Sequence, residues 1–183
     1  MNFKLKILGI IALLSVTYFM AKNTVKKSFS NKLTQYETLA EEGQLAFGIP
    51  REKRVKVVKM VPSDPLYKNS AYYSAEDNKI FINEEMLNKV PYGCKRSIMF
   101  HECVHIKYGD TRATPQCEHR ADTEGFYATE CYICAHEIAV NRRGRDARNR
   151  GYLMTKDIDK ISEDLKKQNK ICSYHQTNKL NLA

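Results

Sequence analysis

The chain has 183 residues, of which 43% are hydrophobic and 28% charged, and it carries a formal net charge of +9. That is enough for one compact domain and too little for a second of ordinary size, and the composition excludes a collagenous, low-complexity or wholly disordered chain. A mean hydropathy of -0.53 excludes a polytopic membrane protein but leaves room for one apolar anchor.

Such a segment stands first. Residues Ile7 to Met20 are uncharged and flanked by Lys4 and Lys6 on one side and Lys22, Lys26 and Lys27 on the other. The run falls between a signal-peptide core and a spanning helix in length. Cleavage after Ala21 would put Phe19 where a small residue is wanted, so residues 1–22 read better as an uncleaved signal anchor than as a signal peptide. The expectation is a hydrophobic N-terminal helix and a chain that is membrane-anchored by a single pass or exported, with 23–183 as the folded domain.

The spacing of Leu33, Tyr36, Leu39 and Ala40 predicts a helix from Lys26 to Gln44, ended by Gly43 and Gly48-Ile49-Pro50. Val55, Val57 and Met60 alternate with basic residues as a strand does, and Pro62-Ser63-Asp64-Pro65 breaks it. Tyr72 and Tyr73, the turn signal Asp77-Asn78 and Lys79 to Asn83 predict a hairpin or small sheet. A helix follows from about Tyr92 to Tyr108 with Gly109 as its cap, then one from Pro115 to about Val140. Asn141 to Gly151 reads as a loop with Arg142, Arg143, Arg145, Arg148 and Arg150, and a final helix runs from Thr155 to Asn169 with Ile158, Ile161 and Leu165 as its packing stripe.

His101-Glu102-Cys103-Val104-His105 has the pattern H-E-x-x-H inside one predicted helix. Four residues advance about 400° and 6 Å, so both imidazoles lie on one face and can share one metal ion. Glu102, beside that face, is placed to take a proton from a metal-activated water. A catalytic zinc needs a third protein ligand. Glu118 supplies it, with His119 as the competitor, and Asp122 lies one turn further on the same face to accept a hydrogen bond from a ligating histidine. Ala121, Gly125 and Ala128 let this helix approach the first, and Cys103 reads as a packed thiol.

Taken in order, Phe47-Gly48-Ile49-Pro50, the valine strand, Lys79-Ile80-Phe81-Ile82-Asn83, the H-E-x-x-H helix, Gly109-Asp110 and Glu118-x-x-x-Asp122 resemble the catalytic domain of HtpX-type and CaaX-prenyl-protease-type zinc metallopeptidases. They are also similar to the small gluzincin-like peptidases of the ImmA/IrrE type. The resemblance covers roughly residues 40 to 140. It implies an α+β, zincin-like minimal metallopeptidase domain, a small sheet with an active-site helix and a second ligand-bearing helix. It implies that His101, His105 and Glu118 bind zinc, that Glu102 is the general base and that Asp122 supports a ligand. It also implies that the strand Ile80 to Ile82 lines the cleft and pairs with an extended peptide or protein substrate. The chain departs from these families in the 12 residues between His105 and Glu118, in Lys107 at a usually apolar place, and in having a single apolar run.

For the oxyanion donor, Tyr108, Tyr127, His136, Arg142 and His175 are equal candidates. Cys131-x-x-Cys134 and Cys172-x-x-His175 leave three alternatives: a second, structural zinc, disulfides of Cys131 or Cys134 with Cys172 and of Cys94 with Cys117, which are preferred, or buried thiols. The five arginines between 142 and 150 lack interleaved aromatics, so nucleic acid is not the expected partner. The competing function is a non-enzymatic, zinc-stabilised binding module whose arginine loop holds a polyanion.

Overall fold

The computed structural model describes residues 35–142 and 150–180. The expected N-terminal apolar helix, the anchor and most of the arginine loop lie outside the described residues. No helix among the described residues is long and apolar enough to cross a membrane.

The fold is α+β, with one three-stranded sheet and, among the described residues, seven helices. Helix α1, residues 35–46, buries Tyr36, Leu39 and Ala40. Its end is stitched to the next element by Gln44, whose Oε1 accepts from the Val55 amide at 2.7 Å while its Nε2 donates to the Val55 carbonyl at 3.3 Å. Strands β1 (Lys56–Lys59), β2 (Ala71–Ser74) and β3 (Lys79–Ile82) lie in the order β1-β3-β2, with β1 parallel and β2 antiparallel to β3. The expected β2–β3 hairpin is present, and Asn78 adopts the left-handed conformation (φ 51°) in its turn.

Asn83 caps the short helix α2 (Glu84–Leu87), accepting from the Met86 amide at 3.2 Å. Helix α3 (Tyr92–Tyr108) ends at Gly109 with φ 64°, where a left-handed residue closes the last turn and favours glycine. Helix α4 (Pro115–Ala128) starts on Thr114, whose hydroxyl accepts from the Cys117 amide. Helices α5 (Tyr132–Arg142), α6 (Thr155–Lys167) and α7 (Ser173–Leu180) follow.

The single long helix expected from Pro115 to Val140 is two helices. The chain turns at Glu130, which has φ 45°, after the buried Thr129 hydroxyl donates back to the Phe126 carbonyl at 2.7 Å. The Tyr132 amide then donates to the Lys170 carbonyl at 3.0 Å, a partner 38 positions away that local periodicity does not report. Helix α7 was not anticipated either, because its polar sequence carries no apolar stripe.

The core has two faces around α3. Ile80, Ile82, Leu87, Met99 and Phe100 are almost fully buried outside the helical cluster, Phe100 against Phe47 and Gly43. Phe126, Ala135, Ile138, Ile158 and Leu165 belong to the cluster on the helical side, which includes the stripe expected of α6. Helix α4 approaches α3 at Gly125, where a Cβ would sit 3.0 Å from the His101 backbone nitrogen and Cα. Backbone cannot rotate aside, so Gly125→Ala should push the helices apart and cost about 1–3 kcal/mol as an overpacked core does. Thermal unfolding against the parent measures it; an unchanged midpoint would show that the contact is slack.

Candidate metal centre

On α3, His101 and His105 stand one turn apart with their Nε2 atoms 3.1 Å from each other. Glu118 enters from α4, its Oε2 lying 3.2 Å from His101 Nε2 and its Oε1 3.8 Å from His105 Nε2. All three residues are buried, at 6–7% exposure. The residues anticipated as ligands are therefore brought together, while His119 faces solvent.

The opposite edges of the rings explain what this arrangement requires. His101 Nδ1 lies 2.8 Å from Asp122 Oδ1, and His105 Nδ1 lies 2.9 Å from Asp110 Oδ2. Burial opposes ionisation of Asp122, but His101 and Arg142 beside it hold its carboxyl down at about 2; Arg120 and His105 likewise outweigh burial and lower Asp110. Ionised carboxylates only accept, so each Nδ1 carries the ring proton and each Nε2 presents a lone pair. Two lone pairs and a carboxylate then converge in a buried space, and Glu118 Oε2 has no hydrogen-bond partner. That space suits a positive charge. A proton on His101 supplies one: burial disfavours it, but the surrounding Asp122, Glu118 and Glu102 carboxylates raise that pKa to about 10.

A divalent metal fits better, because one proton bridges one edge of the triangle and a metal serves all three. For nitrogen or oxygen ligands at about 2.0–2.2 Å, a tetrahedron has edges of about 3.3–3.6 Å, which the separations of 3.1–3.8 Å bracket. His101, His105 and Glu118 therefore make a group that can hold a metal ion.

Glu102 turns from the ligand face toward the sheet, where its Oε2 accepts from the Tyr73 amide of β2 at 2.8 Å. Burial raises its carboxyl above the ordinary range. In front of these groups opens a cleft of about 700 Å³, walled by β2, the 110–113 segment and Tyr152. The strand expected to line this cleft was Ile80 to Ile82. It is instead the central strand, paired on both sides, and β2 is the edge that faces the cleft.

No protein-family model, curated protein or solved structure matches this chain.

The five oxyanion candidates are placed elsewhere. Tyr108 donates to Glu124 and Tyr127 to Asp164, both on the surface; His136 is exposed, and His175 lies among cysteines. Arg142 is the end of α5 rather than part of a solvated loop, and its guanidinium donates to both oxygens of Asp122. Two residues to which the sequence assigned no role complete the site. Asp110 orients His105, and Gly109-Asp110 was a visible but unassigned signal. Tyr152 lines the cleft with its ring 5.8 Å from that of His101. Its position comes from Gly151, whose φ of 83° turns the chain tightly against the backbone of Pro115.

Partners of a ligand's outer nitrogen fix its tautomer and raise its basicity. Asp110→Asn and Asp122→Asn should each weaken metal binding by roughly 10–100-fold, and Glu118→Ala should weaken it further, measured by competition with a chromophoric chelator. Unaltered affinity in both Asn variants would contradict the tautomer argument.

Proposed function

We propose that the protein is a zinc-dependent endopeptidase that hydrolyses extended peptide segments in the cleft between α3 and β2. The observation that carries this reading is that three ligand atoms converge on the floor of an open cleft while Glu102, on the same helix, stands beside them without taking part. Three donors and an accessible side characterise catalytic zinc sites, whereas structural ones are closed by four. In the competing reading, a polyanion-binding module, neither the cleft nor Glu102 at its floor has a purpose.

Zinc held there supplies a Lewis acid that makes a water acidic near neutral pH and polarises a carbonyl oxygen. The remaining steps belong to the chain. Glu102 accepts the proton of the attacking water and passes it to the departing amine. Its hydrogen bond from Tyr73 fixes one oxygen and leaves the other for that transfer. Tyr152, with its proton held firmly by burial and by the nearby Glu118, Glu102 and Asp122, donates a hydrogen bond to the scissile carbonyl oxygen as negative charge develops. The outer edge of β2 takes up the substrate as an added strand, giving main-chain affinity with weak demands on sequence. The apolar run Ile7 to Met20 holds this domain at a membrane.

The test uses an unstructured protein substrate with a quenched reporter. Glu102→Gln should retain the metal and lose activity by about 10²–10⁴-fold, the scale of a removed general base. Tyr152→Phe should lower kcat more than it changes KM. Full activity of Glu102→Gln, or cleavage that persists after chelation, would sink the proposal.

A further inference from the structure

The second cluster lies at the opposite end of the helical layer. Cys131 and Cys134 sit at the start of α5, and Cys172 and His175 at the start of α7. His175 Nδ1 lies 3.3 Å from Cys131 Sγ, 3.7 Å from Cys134 Sγ and 3.2 Å from Cys172 Sγ, and the Sγ atoms of Cys134 and Cys172 are 3.9 Å apart. All four ligand atoms fall within 4.8 Å of one another.

The disulfides preferred from sequence are not formed: all six cysteines are free. A disulfide brings sulfurs to about 2.05 Å, whereas no disulfide joins any of the six cysteines. The Cys94–Cys117 bridge fails for a separate reason: Cys94 is in the helical core, and Cys117 is turned to Asp110 and Thr114. Hydrogen bonding among thiols does not account for the cluster either. One ring nitrogen faces three sulfurs and can donate a single N–H. Ligands around a tetrahedral zinc, with Zn–S about 2.3 Å and Zn–N about 2.0–2.1 Å, lie about 3.8 Å apart for sulfur pairs and about 3.6 Å for sulfur and nitrogen. The four separations between 3.2 and 3.9 Å scatter around those edges.

The surroundings are those of a ligand set. Cys131 and Cys134 are fully buried, and His175 is 9% exposed. The far nitrogen of His175, Nε2, faces Glu137 Oε1 at 3.6 Å, and the other oxygen of Glu137 accepts from the Gly93 amide at 2.6 Å. Tyr92 and Tyr174 stack at 3.7 Å and set their edges against the imidazole. Helix α7 is largely polar, and Tyr174 and the buried His175 are its contacts with the rest of the fold.

We propose that Cys131, Cys134, Cys172 and His175 hold a second, structural zinc ion that fastens α7 and the Lys170–Cys172 segment to the start of α5. Three soft thiolates and one imidazole select zinc over magnesium or calcium, and four protein donors leave no position for substrate. Binding displaces the three thiol protons. The proposal is independent of the peptidase reading, since none of its ligands reaches the cleft.

Cobalt(II) separates the two sites, because only thiolate ligands give an intense charge-transfer absorption in the near ultraviolet. The full chain carrying His105→Ala, loaded with one equivalent of cobalt, should show that absorption. The further change Cys134→Ser should abolish it. Elemental analysis of the zinc-loaded chain should give two ions per parent chain and one in His105→Ala, released as a mercurial reagent titrates the thiols. If Cys134→Ser fails to fold, the spectrum and mercurial release of the His105→Ala chain still decide. No thiolate absorption in that chain, or thiols that titrate fully without releasing zinc, would overturn the proposal. A failed peptidase reading would leave the absorption intact.

Discussion

The carboxylate of Asp122 is the interaction on which the rest of the architecture depends. It is 0% exposed, and removing such a charge from water costs several kcal/mol unless donors replace the lost hydration. Four do so: the His101 ring on α3, two nitrogens of Arg142 at the end of α5, and the Leu153 amide on the approach to α6. One side chain of α4 thus ties together α3, α5 and the segment leading into α6. Losing any one donor leaves charge uncompensated, so the positions of these elements are coupled through a single group. The same carboxylate fixes the tautomer of His101, which makes the packing of the helical layer and the chemistry of the site one problem.

The two ligand clusters differ in a way that follows from where they sit. His101, His105 and Glu118 face an open cleft and number three. Cys131, Cys134, Cys172 and His175 close on one another where α7 meets the rest of the fold. Between them run α3 and α5. Gly93, near the first turn of α3, packs so closely on Cys134 that a Cβ there would come within 2.6 Å of its Cα. The proposed structural ion therefore supports the end of the helix opposite the imidazoles. Open chemistry at one end is combined with a rigid clasp at the other.

Edge and centre in the sheet divide the same labour. β3 is central and buries Ile80 and Ile82 completely, so its backbone is spent on its neighbours. β2, with all four residues half-buried, keeps one side for the cleft and uses the Tyr73 amide to orient Glu102. An alternating apolar pattern is seen equally in a central strand and an edge strand, because it records which face is buried and says nothing of lateral neighbours. The place beside the substrate that the resemblance implies for Ile80 to Ile82 belongs to β2, because β3 is paired on both sides.

By itself the sequence determined what depends on helical period and short-range chemistry. The α+β class, the hairpin, the helix carrying His101 and His105, its glycine cap and the convergence of Glu118 and Asp122 on one face all follow from spacings of three to four residues or from turn signals. Only the tertiary structure decided what depends on groups far apart in the chain. Tyr152 reaches the site through the turn at Gly151, Arg142 is drawn to Asp122 across 20 positions, and His175 meets Cys131 across 44. The break at Glu130 belongs with these, because Thr129 and Glu130 are compatible with a continuing helix until Lys170 offers the Tyr132 amide a partner. Periodicity assigns a residue to a face, and only packing of the faces brings distant donors and acceptors within bonding distance.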